Sequence, residues 1–199
     1  MRSAGIQGNL PKRRRPADKG DRPEHHIAEN VLDRNFDVAA PNKYWVADFT
    51  YEWTQEGWLY VATVLDLFSR KIVGWSMKAN MTAELVIDAL KMAVWRRGKP
   101  ESLLHHSDQG SQYTSDAFQR LLSDMGILCS MSRRGECHDN AVMESFYGSM
   151  KTEKLYREKY HTRDEARAAV FNYIEGFYNP HRRHSTLGNM SPMAFEKQA

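Results

Sequence analysis

The distribution of apolar residues divides the chain into an irregular beginning and an ordered remainder. Residues 1–35 are rich in Pro, Gly, Arg, Asp and His and show no sustained apolar period, which is typical of an arm or linker. From residue 36 onward, apolar positions recur with the spacing of strands and helices. The pattern therefore predicts a mostly irregular arm over 1–35 and one folded domain over 36–199.

Three segments of strand length open the ordered part. The positions from Tyr44 to Trp53 alternate and are rich in aromatic residues. A nearly continuous apolar run then extends from Trp58 to Asp66, and a third segment covers Lys71 to Met77. Because both connections are short, we predict an antiparallel meander of three strands.

Beyond residue 80 the apolar period alternates between that of helices and that of strands. We predict a helix capped by Thr82 and ended by Gly98, then a strand, a helix, a strand and two further helices. Their predicted bounds are Glu101–His106, Ser115–Met125, Ile127–Met131, Asn140 to about Lys154, and Arg163–Tyr178. This order predicts an α/β fold with a five-stranded mixed sheet flanked by helices.

Composition narrows the class of protein. Hydrophobic residues make up 41% of the chain and charged residues 27%, the balance of a soluble globular domain. No apolar stretch approaches the ~20 residues needed to cross a bilayer. Cys129 and Cys137 are too few for a disulfide framework and lack metal-site spacing. We therefore expect a cytoplasmic protein with no membrane partner.

The excess positive charge lies in the arm. Residues 1–35 hold eight Lys or Arg residues against five acids, whereas the remaining 20 basic and 20 acidic residues cancel. The run Lys12-Arg13-Arg14-Arg15 fits contact with a phosphate backbone. A solvated tail of no specific purpose fits equally well, so charge alone does not indicate a function.

Three acids occupy positions where sites form in mixed α/β sheets. Asp48 lies inside the first apolar strand, Asp108 follows the fourth strand, and Glu144 falls in the first turns of the helix after Asn140. Such oxygen ligands suit Mg²⁺ or Mn²⁺ rather than zinc. Each acid also has a structural explanation, as a strand-end acid, a turn former or a helix-start acid, and Asp66 has a similar claim from position. The residues indicate an acidic site without fixing a triad.

Neighbouring histidines raise a second metal hypothesis. His105 and His106 are adjacent on a predicted strand, where successive side chains point to opposite faces. They are therefore not expected to share a zinc ion, and one of them is expected to belong to the core.

A series of ordered motifs resembles the integrase-type catalytic core of bacterial IS3-family insertion-sequence transposases, which are related to retroviral integrases. Between Asp108 and Glu144 lie 35 residues, which is the spacing of the family's second and third catalytic acids. The matching stretches are residues 45–51 (WVADFTY), 57–60 (GWLY), 65–75 (LDLFSRKIVGW), 105–113 (HHSDQGSQY), 139–146 (DNAVMESF), and Tyr178-Asn179 with 182–188 (RRHSTLG).

The resemblance implies a ribonuclease H-like fold and selects Asp48, Asp108 and Glu144 as catalytic, metal-binding acids, with Asp66 structural. It implies metal-dependent cleavage and strand transfer of double-stranded DNA, at transposon ends and at a target, with two Mg²⁺ or Mn²⁺ ions per site. It also implies a homo-oligomer on DNA in the bacterial cytoplasm, associated with the nucleoid when bound to DNA.

The resemblance further suggests residues that contact DNA. Lys151 follows Glu144 by seven residues, so it returns to within about 20° of the same helical face, where a family lysine faces transposon-end DNA. A solvated helix lysine is the alternative. Asn140 lies one turn before Glu144 and could reach the same site. The remaining predicted DNA contacts are basic: Arg133 and Arg134 in a loop, and Arg182 and Arg183 in the His181–His184 cluster, for which a structural role is also open.

The family usually carries a helical DNA-binding region ahead of the core, and residues 1–35 are too short and too polar to supply it. Three explanations of the missing region are open: a truncated copy, a mis-started frame, and one part of a product that is fused to an upstream helix-turn-helix frame or paired with such a protein.

Two other functions fit the residues: a nuclease that only hydrolyses DNA or RNA, and an inactive remnant or DNA-binding accessory protein.

Overall fold

The computed structural model describes residues 27–133 and 136–198. Five strands form one mixed sheet: β1 (Tyr44–Thr54), β2 (Gly57–Asp66), β3 (Ile72–Lys78), β4 (Leu104–Ser107) and β5 (Leu128–Met131). Five helices accompany it: α1 (Ala83–Arg97), α2 (Asp116–Asp124), α3 (Ala141–Glu153), α4 (Arg163–Phe171) and α5 (Pro192–Glu196). The predicted order of strands and helices is confirmed, with the short α5 added at the end.

The strands lie side by side in the order β3-β2-β1-β4-β5. β1 and β2 pair along their whole lengths and β3 joins β2, all antiparallel, as the meander predicted. β4 pairs parallel to β1, and β5 parallel to β4. β1 therefore lies at the centre of the sheet, between its antiparallel and parallel parts.

Helices cover both faces of this sheet. α1 packs on β2 and β3, and α2 packs on α1 and β5. α3 packs on β1, and α4 packs on β1 and β2. Because side chains alternate along each strand, neighbouring residues enter different cores: Val46 joins the core under α3 and α4, and Trp45 and Ala47 join the core under α1 and α2.

Several predicted boundaries differ from the structure. Glu101 and Ser102 are exposed, and β4 begins only at Leu104, directly after the buried Leu103. Thr82 occupies the N-cap position of α1, yet its side chain makes no capping hydrogen bond. The predicted last helix is regular only as far as Phe171 and continues over Asn172–Tyr178 as a π-helix.

The segment 27–35, which we assigned to the arm, is irregular but attached to the core. Leu32 is buried in the core under α3 and α4. The backbone N–H groups of Val31 and Leu32 donate to Ser130 Oγ at 3.0 and 3.2 Å. The ordered part of the chain therefore begins before the expected Phe36, because the buried side chain of Leu32 packs this segment against the core. The basic run at 12–15 lies outside the described residues. Within them, no helix is long and apolar enough to cross a membrane.

Candidate active site

The register of two parallel strands brings Asp48 and Asp108 to the same level of the sheet. Val46 of β1 pairs with His106 of β4. Asp48 and Asp108 each follow two residues later, at the end where β4 stops. Neighbouring strands lie about 4.8 Å apart, so the two acids are lateral neighbours although 59 residues separate them in the chain.

Backbone hydrogen bonds hold both carboxylates. Asp48 Oδ1 accepts from the backbone N–H of Phe49 at 2.7 Å. Asp108 Oδ1 accepts from the backbone N–H of Gly110 at 2.9 Å. A Cβ atom at Gly110 would lie 2.9 Å from that same Asp108 oxygen, so this position requires glycine for the carboxylate to keep its place.

Helix α3 brings the third acid to this edge. Tyr147, three residues after Glu144, donates its hydroxyl hydrogen bond to the backbone oxygen of Asp48 at 2.6 Å, and the same hydroxyl lies 2.8 Å from Thr63 Oγ1. Asn140, which precedes the helix, donates from Nδ2 to Ala47 O at 3.3 Å. These contacts fix the start of α3 over β1. Glu144 itself is exposed at this end of the helix.

Electrostatics link the three acids. Burial raises the pKa of Asp48 well above its ordinary value, and the negative charges of Asp108 and Glu144 raise that pKa further. Lys151 acts in the opposite direction, since its positive charge lowers the same pKa. Like charges gathered in a partly buried place favour protonation or a bound cation. We refer to Asp48, Asp108 and Glu144 as the acidic edge.

The acidic edge has oxygen donors only, which is the ligand chemistry of hard divalent cations. Among the side chains that the structure describes, no three His, Cys, Asp or Glu residues already stand close enough to form a ready metal cage. The two aspartates are fixed by backbone hydrogen bonds, whereas Glu144 lies on the exposed side of its helix. The site thus has two rigid acids and one adjustable acid.

Lys151 lies near the acidic edge. Its Nζ is 5.3 Å from the centre of the Tyr51 ring, and its charge acts on Asp48 and Glu52. Glu52, four residues after Asp48 and on the same face of β1, has its pKa raised to about 7 by burial. Sequence reasoning missed Glu52, although its place two alternations beyond Asp48 is a signal that could have found it.

Two of the other predicted DNA contacts, Arg133 and Arg182, bind carboxylates of the protein. Arg133 donates to both carboxylate oxygens of the buried Asp139, each at 3.0 Å, and Arg34 also binds Asp139. Arg182 holds Glu153 through Nε and Nη2, at 3.0 and 2.7 Å. Arg183 is exposed. Arg134 lies outside the described residues.

Three other residues that the sequence offered as site candidates, one aspartate and two histidines, have structural surroundings. Asp66 is fully buried and accepts hydrogen bonds from the backbone N–H groups of Asn42 and Phe68, at 2.7 and 3.0 Å. His105 packs against the rings of Tyr113 and Phe118. His106 instead lies 2.9 Å from Ser130 Oγ. The histidines do face opposite sides of the sheet, as predicted, and both are buried rather than one.

Comparison with known proteins identifies relatives of this arrangement. The sequence matches the family described as "Integrase core domain" over residues 38–137 and a second family of that description over 125–192. It is 48% identical over 172 residues to "Transposase InsF for insertion sequence IS3fB" of Escherichia coli (strain K12), covering 86% of this chain and 60% of that protein. It is also 48% identical to "Insertion element IS600 uncharacterized 31 kDa protein" of Shigella sonnei, covering 63% of it. The chain thus spans about three fifths of the length of these curated relatives.

Solved structures give the same fold at low sequence identity. The chain matches the simian T-cell lymphotropic virus intasome with a TM-score of 0.64 at 18% identity, over 90% of this chain and 60% of that one. It matches the HTLV-2 integrase catalytic core domain in complex with magnesium, trimeric form, with a TM-score of 0.60 at 20% identity, over 79% and 97%. The ribonuclease H-like fold of integrase catalytic cores is therefore confirmed.

Proposed function

Because the chain belongs to the integrase core domain family, we propose that it is the catalytic core of an IS3-type DNA transposase. In this proposal Asp48, Asp108 and Glu144 are the catalytic acids. The observation that carries the proposal is the parallel pairing of Val46 with His106, which sets the two aspartates level with each other where β4 ends. The 48% identity to IS3 transposases supports the choice of reaction.

The donor set of the acidic edge fits Mg²⁺ or Mn²⁺, and the magnesium complex of the HTLV-2 integrase core supports this choice. The three acids would hold the metal, with Asp48 and Asp108 as the rigid ligands. When bound, a pair of such ions supplies positive charge that activates an attacking oxygen and stabilises the leaving oxygen at phosphorus. Lys151 counts as a further positive charge beside Asp48.

The reaction proposed for these residues is an in-line displacement at a phosphodiester, carried out twice. In the first step an oxygen of water attacks phosphorus at the transposon end, and the bond to the 3′ oxygen breaks, which frees a 3′-hydroxyl. In the second, that hydroxyl attacks a target phosphodiester, whose own bond to its 3′ oxygen breaks. No covalent bond to the protein forms in either step.

The remaining residues position these groups or bind DNA. Tyr147 and Asn140 hold the start of α3 on β1 and so set where Glu144 lies. We propose Lys151 and Arg183 as contacts to the phosphate backbone. Arg133 and Arg182 have a weaker claim, because their guanidinium groups already bind Asp139 and Glu153. Arg134 keeps the role predicted from the sequence.

Oligomerisation and recognition of DNA ends extend the proposal. The intasome and the trimeric integrase core among the structural neighbours support a homo-oligomer working on double-stranded DNA. Recognition of transposon ends by a helix-turn-helix region, supplied upstream or by a partner protein, is a further part of the proposal.

Strand transfer tests the proposal. The full chain is incubated with Mg²⁺ or Mn²⁺, a labelled duplex carrying a pre-cut transposon end, and a target plasmid. We expect joined products that disappear with chelator and in Glu144→Gln, while Glu101→Gln, which removes an exposed acid at the opposite end of β4 from Asp108, retains them.

The products also separate the alternative functions. Cleavage without joined products would indicate a hydrolytic nuclease and overturn strand transfer as the activity. Neither cleavage nor joining, in a folded protein that binds Mn²⁺, would favour the inactive remnant or DNA-binding accessory protein.

A further inference from the structure

A cavity of about 200 Å³ lies on the flank of α3 beside the acidic edge. Three parts of the chain enclose it: Ser145 and Ser149 of α3, Arg70 of the turn between β2 and β3, and Arg182 and His184 of the C-terminal segment. Its polar lining includes two arginines, and its hydroxyl groups can donate or accept hydrogen bonds. We refer to this space as the basic cavity.

Arg70 contributes a buried donor that lacks a partner. Its Nη2 donates to Phe36 O at 3.1 Å. Its Nη1 is buried and has no hydrogen-bond partner among the residues described. Burial lowers the pKa of Arg70, the direction expected when a cation is removed from water without full compensation. An anion in the basic cavity would supply the missing acceptor.

His184 adds a second buried atom without a partner, its Nε2. The ring of His184 packs edge-on against Tyr178, with centroids 5.1 Å apart. Burial and the nearby charges of Arg182 and Arg70 lower the pKa of His184 to about 4. The ring is therefore neutral near pH 7, where one nitrogen can donate a hydrogen bond without adding charge.

The start of α3 favours an anion in the same place. Ala141 and Val142, in the first turn of this 13-residue helix, also line the basic cavity. A 3-10 helix, Cys137–Asn140, runs directly into α3, and the Asn140 side chain makes no capping hydrogen bond. The dipole of α3 favours phosphate and other anions at this end.

The geometry points to the basic cavity as a binding site for one phosphate group of a DNA strand, held by Arg70 and His184 beside the first turn of α3. A phosphate group offers several acceptor oxygens to such donors. Only the source of the phosphate rests on the proposed function. Ser145 of the cavity follows Glu144 directly in α3, so a strand bound here would pass beside the acidic edge.

Phosphate binding is tested without catalysis, in chelator, with the full chain. Inorganic phosphate is titrated while the ring nitrogens of His184 are followed by ¹⁵N NMR. We expect a saturable change in chemical shift, from which a phosphate affinity follows. That affinity should fall at least about tenfold in Arg70→Gln and stay unchanged in Arg120→Gln, which removes an exposed arginine of α2. Arg70→Lys, which keeps the charge, serves as a second variant if Arg70→Gln loses its fold by circular dichroism.

A second arm identifies the source of the phosphate. A short DNA duplex is added to the phosphate-bound protein, still in chelator, and is expected to reverse the shift caused by free phosphate. Fluorescence anisotropy should show weaker duplex binding by Arg70→Gln than by Arg120→Gln.

Two results would overturn the inference. An unchanged His184 signal in folded protein, or equal phosphate affinity in wild type and Arg70→Gln, would show that the basic cavity is not a phosphate site. Phosphate binding that DNA does not displace would show that the cavity binds free phosphate and not a DNA strand. Both results are separable from failure of the proposed function, because strand transfer is measured with metal and reports on Glu144.

Discussion

The face of the sheet under α1 and α2 and the face under α3 and α4 are built from the same strands, yet they use their polar positions differently. Under α1 and α2 the packing is close: a Cβ at Gly74 would lie 2.7 Å from the backbone nitrogen of Ala93. His105 is buried here among aromatic rings, and neither ring nitrogen finds a hydrogen-bond partner among the described residues.

Under α3 and α4 the same alternation carries polar groups at one end. Val46 lies in the core, and Asp48 and Glu52 follow on the same face of β1. The change coincides with the end of pairing between β1 and β4 at Val46, beyond which β1 continues to Thr54. The neighbouring strand is therefore absent beside Asp48 and Glu52. In the proposed function this unpaired end of the second face carries the chemistry, whereas the face under α1 and α2 serves packing.

The largest difference between the two faces is expected in the stability of Gly74→Ala. The added methyl group would collide with the backbone of α1 at Ala89 and Ala93, so we expect a loss of about 3 kcal/mol in the free energy of unfolding. Urea denaturation measures it, with Gly176→Ala as control because a Cβ there meets nothing within 4 Å. Strand transfer per folded molecule should stay unchanged; a specific loss of joining would break the distinction between the faces.

A smaller effect is expected from acid acting on His105. Burial lowers the pKa of His105 to about 3, below the value of about 6.5 in an unfolded chain. As pH falls, the unfolded chain takes up the proton first, so the stability present above about pH 6.5 is lost towards pH 3. From pH 7 to pH 5 this single group should cost about 2 kcal/mol.

The variant His105→Phe removes that titration while keeping a ring in the aromatic cluster. Its unfolding free energy, measured at pH 7 and pH 5, should fall by less than that of the wild type. The remaining slope would include His106, whose pKa burial lowers to about 4. Equal slopes for the two proteins would show that His105 is not buried in its neutral form.

The smallest effect in this series concerns the open end of the other face. In Gly110→Ala the new methyl group would press on Asp108 Oδ1, and we expect strand transfer to fall about tenfold, as for changes beside metal ligands. Unfolding by urea should be nearly unaffected. A variant that joins DNA at the wild-type rate would mean that the position of Asp108 tolerates displacement.

Much of this fold could be predicted from the sequence, because strand and helix periods differ and the meander connections are short. The level placement of Asp48 and Asp108 could not, since it depends on the register of β4 against β1, two strands that β2, β3 and α1 separate in the chain. The buried state of Asp66 was open for the same reason. Its partners Asn42 and Arg97 come from separate segments.

The basic residues were the least predictable part of the candidate site. Arg133 and Arg182 looked available for DNA, yet each binds a carboxylate, Asp139 or Glu153. No role was predicted for Arg70, although it contributes a buried donor to the basic cavity. Sequence shows the charge of an arginine, whereas its availability depends on which acids the fold brings beside it.

Metal binding tests most directly whether the acidic edge is one site. Mn²⁺ is titrated by calorimetry into wild type, Asp48→Asn, Asp108→Asn and Glu144→Gln, with Asp124→Asn, an exposed acid of α2, as the matched control. We predict saturable binding that weakens at least about tenfold in each of the three variants and is unchanged in the control. Equal Mn²⁺ affinity in all five proteins would contradict a shared metal site formed by β1, β4 and α3.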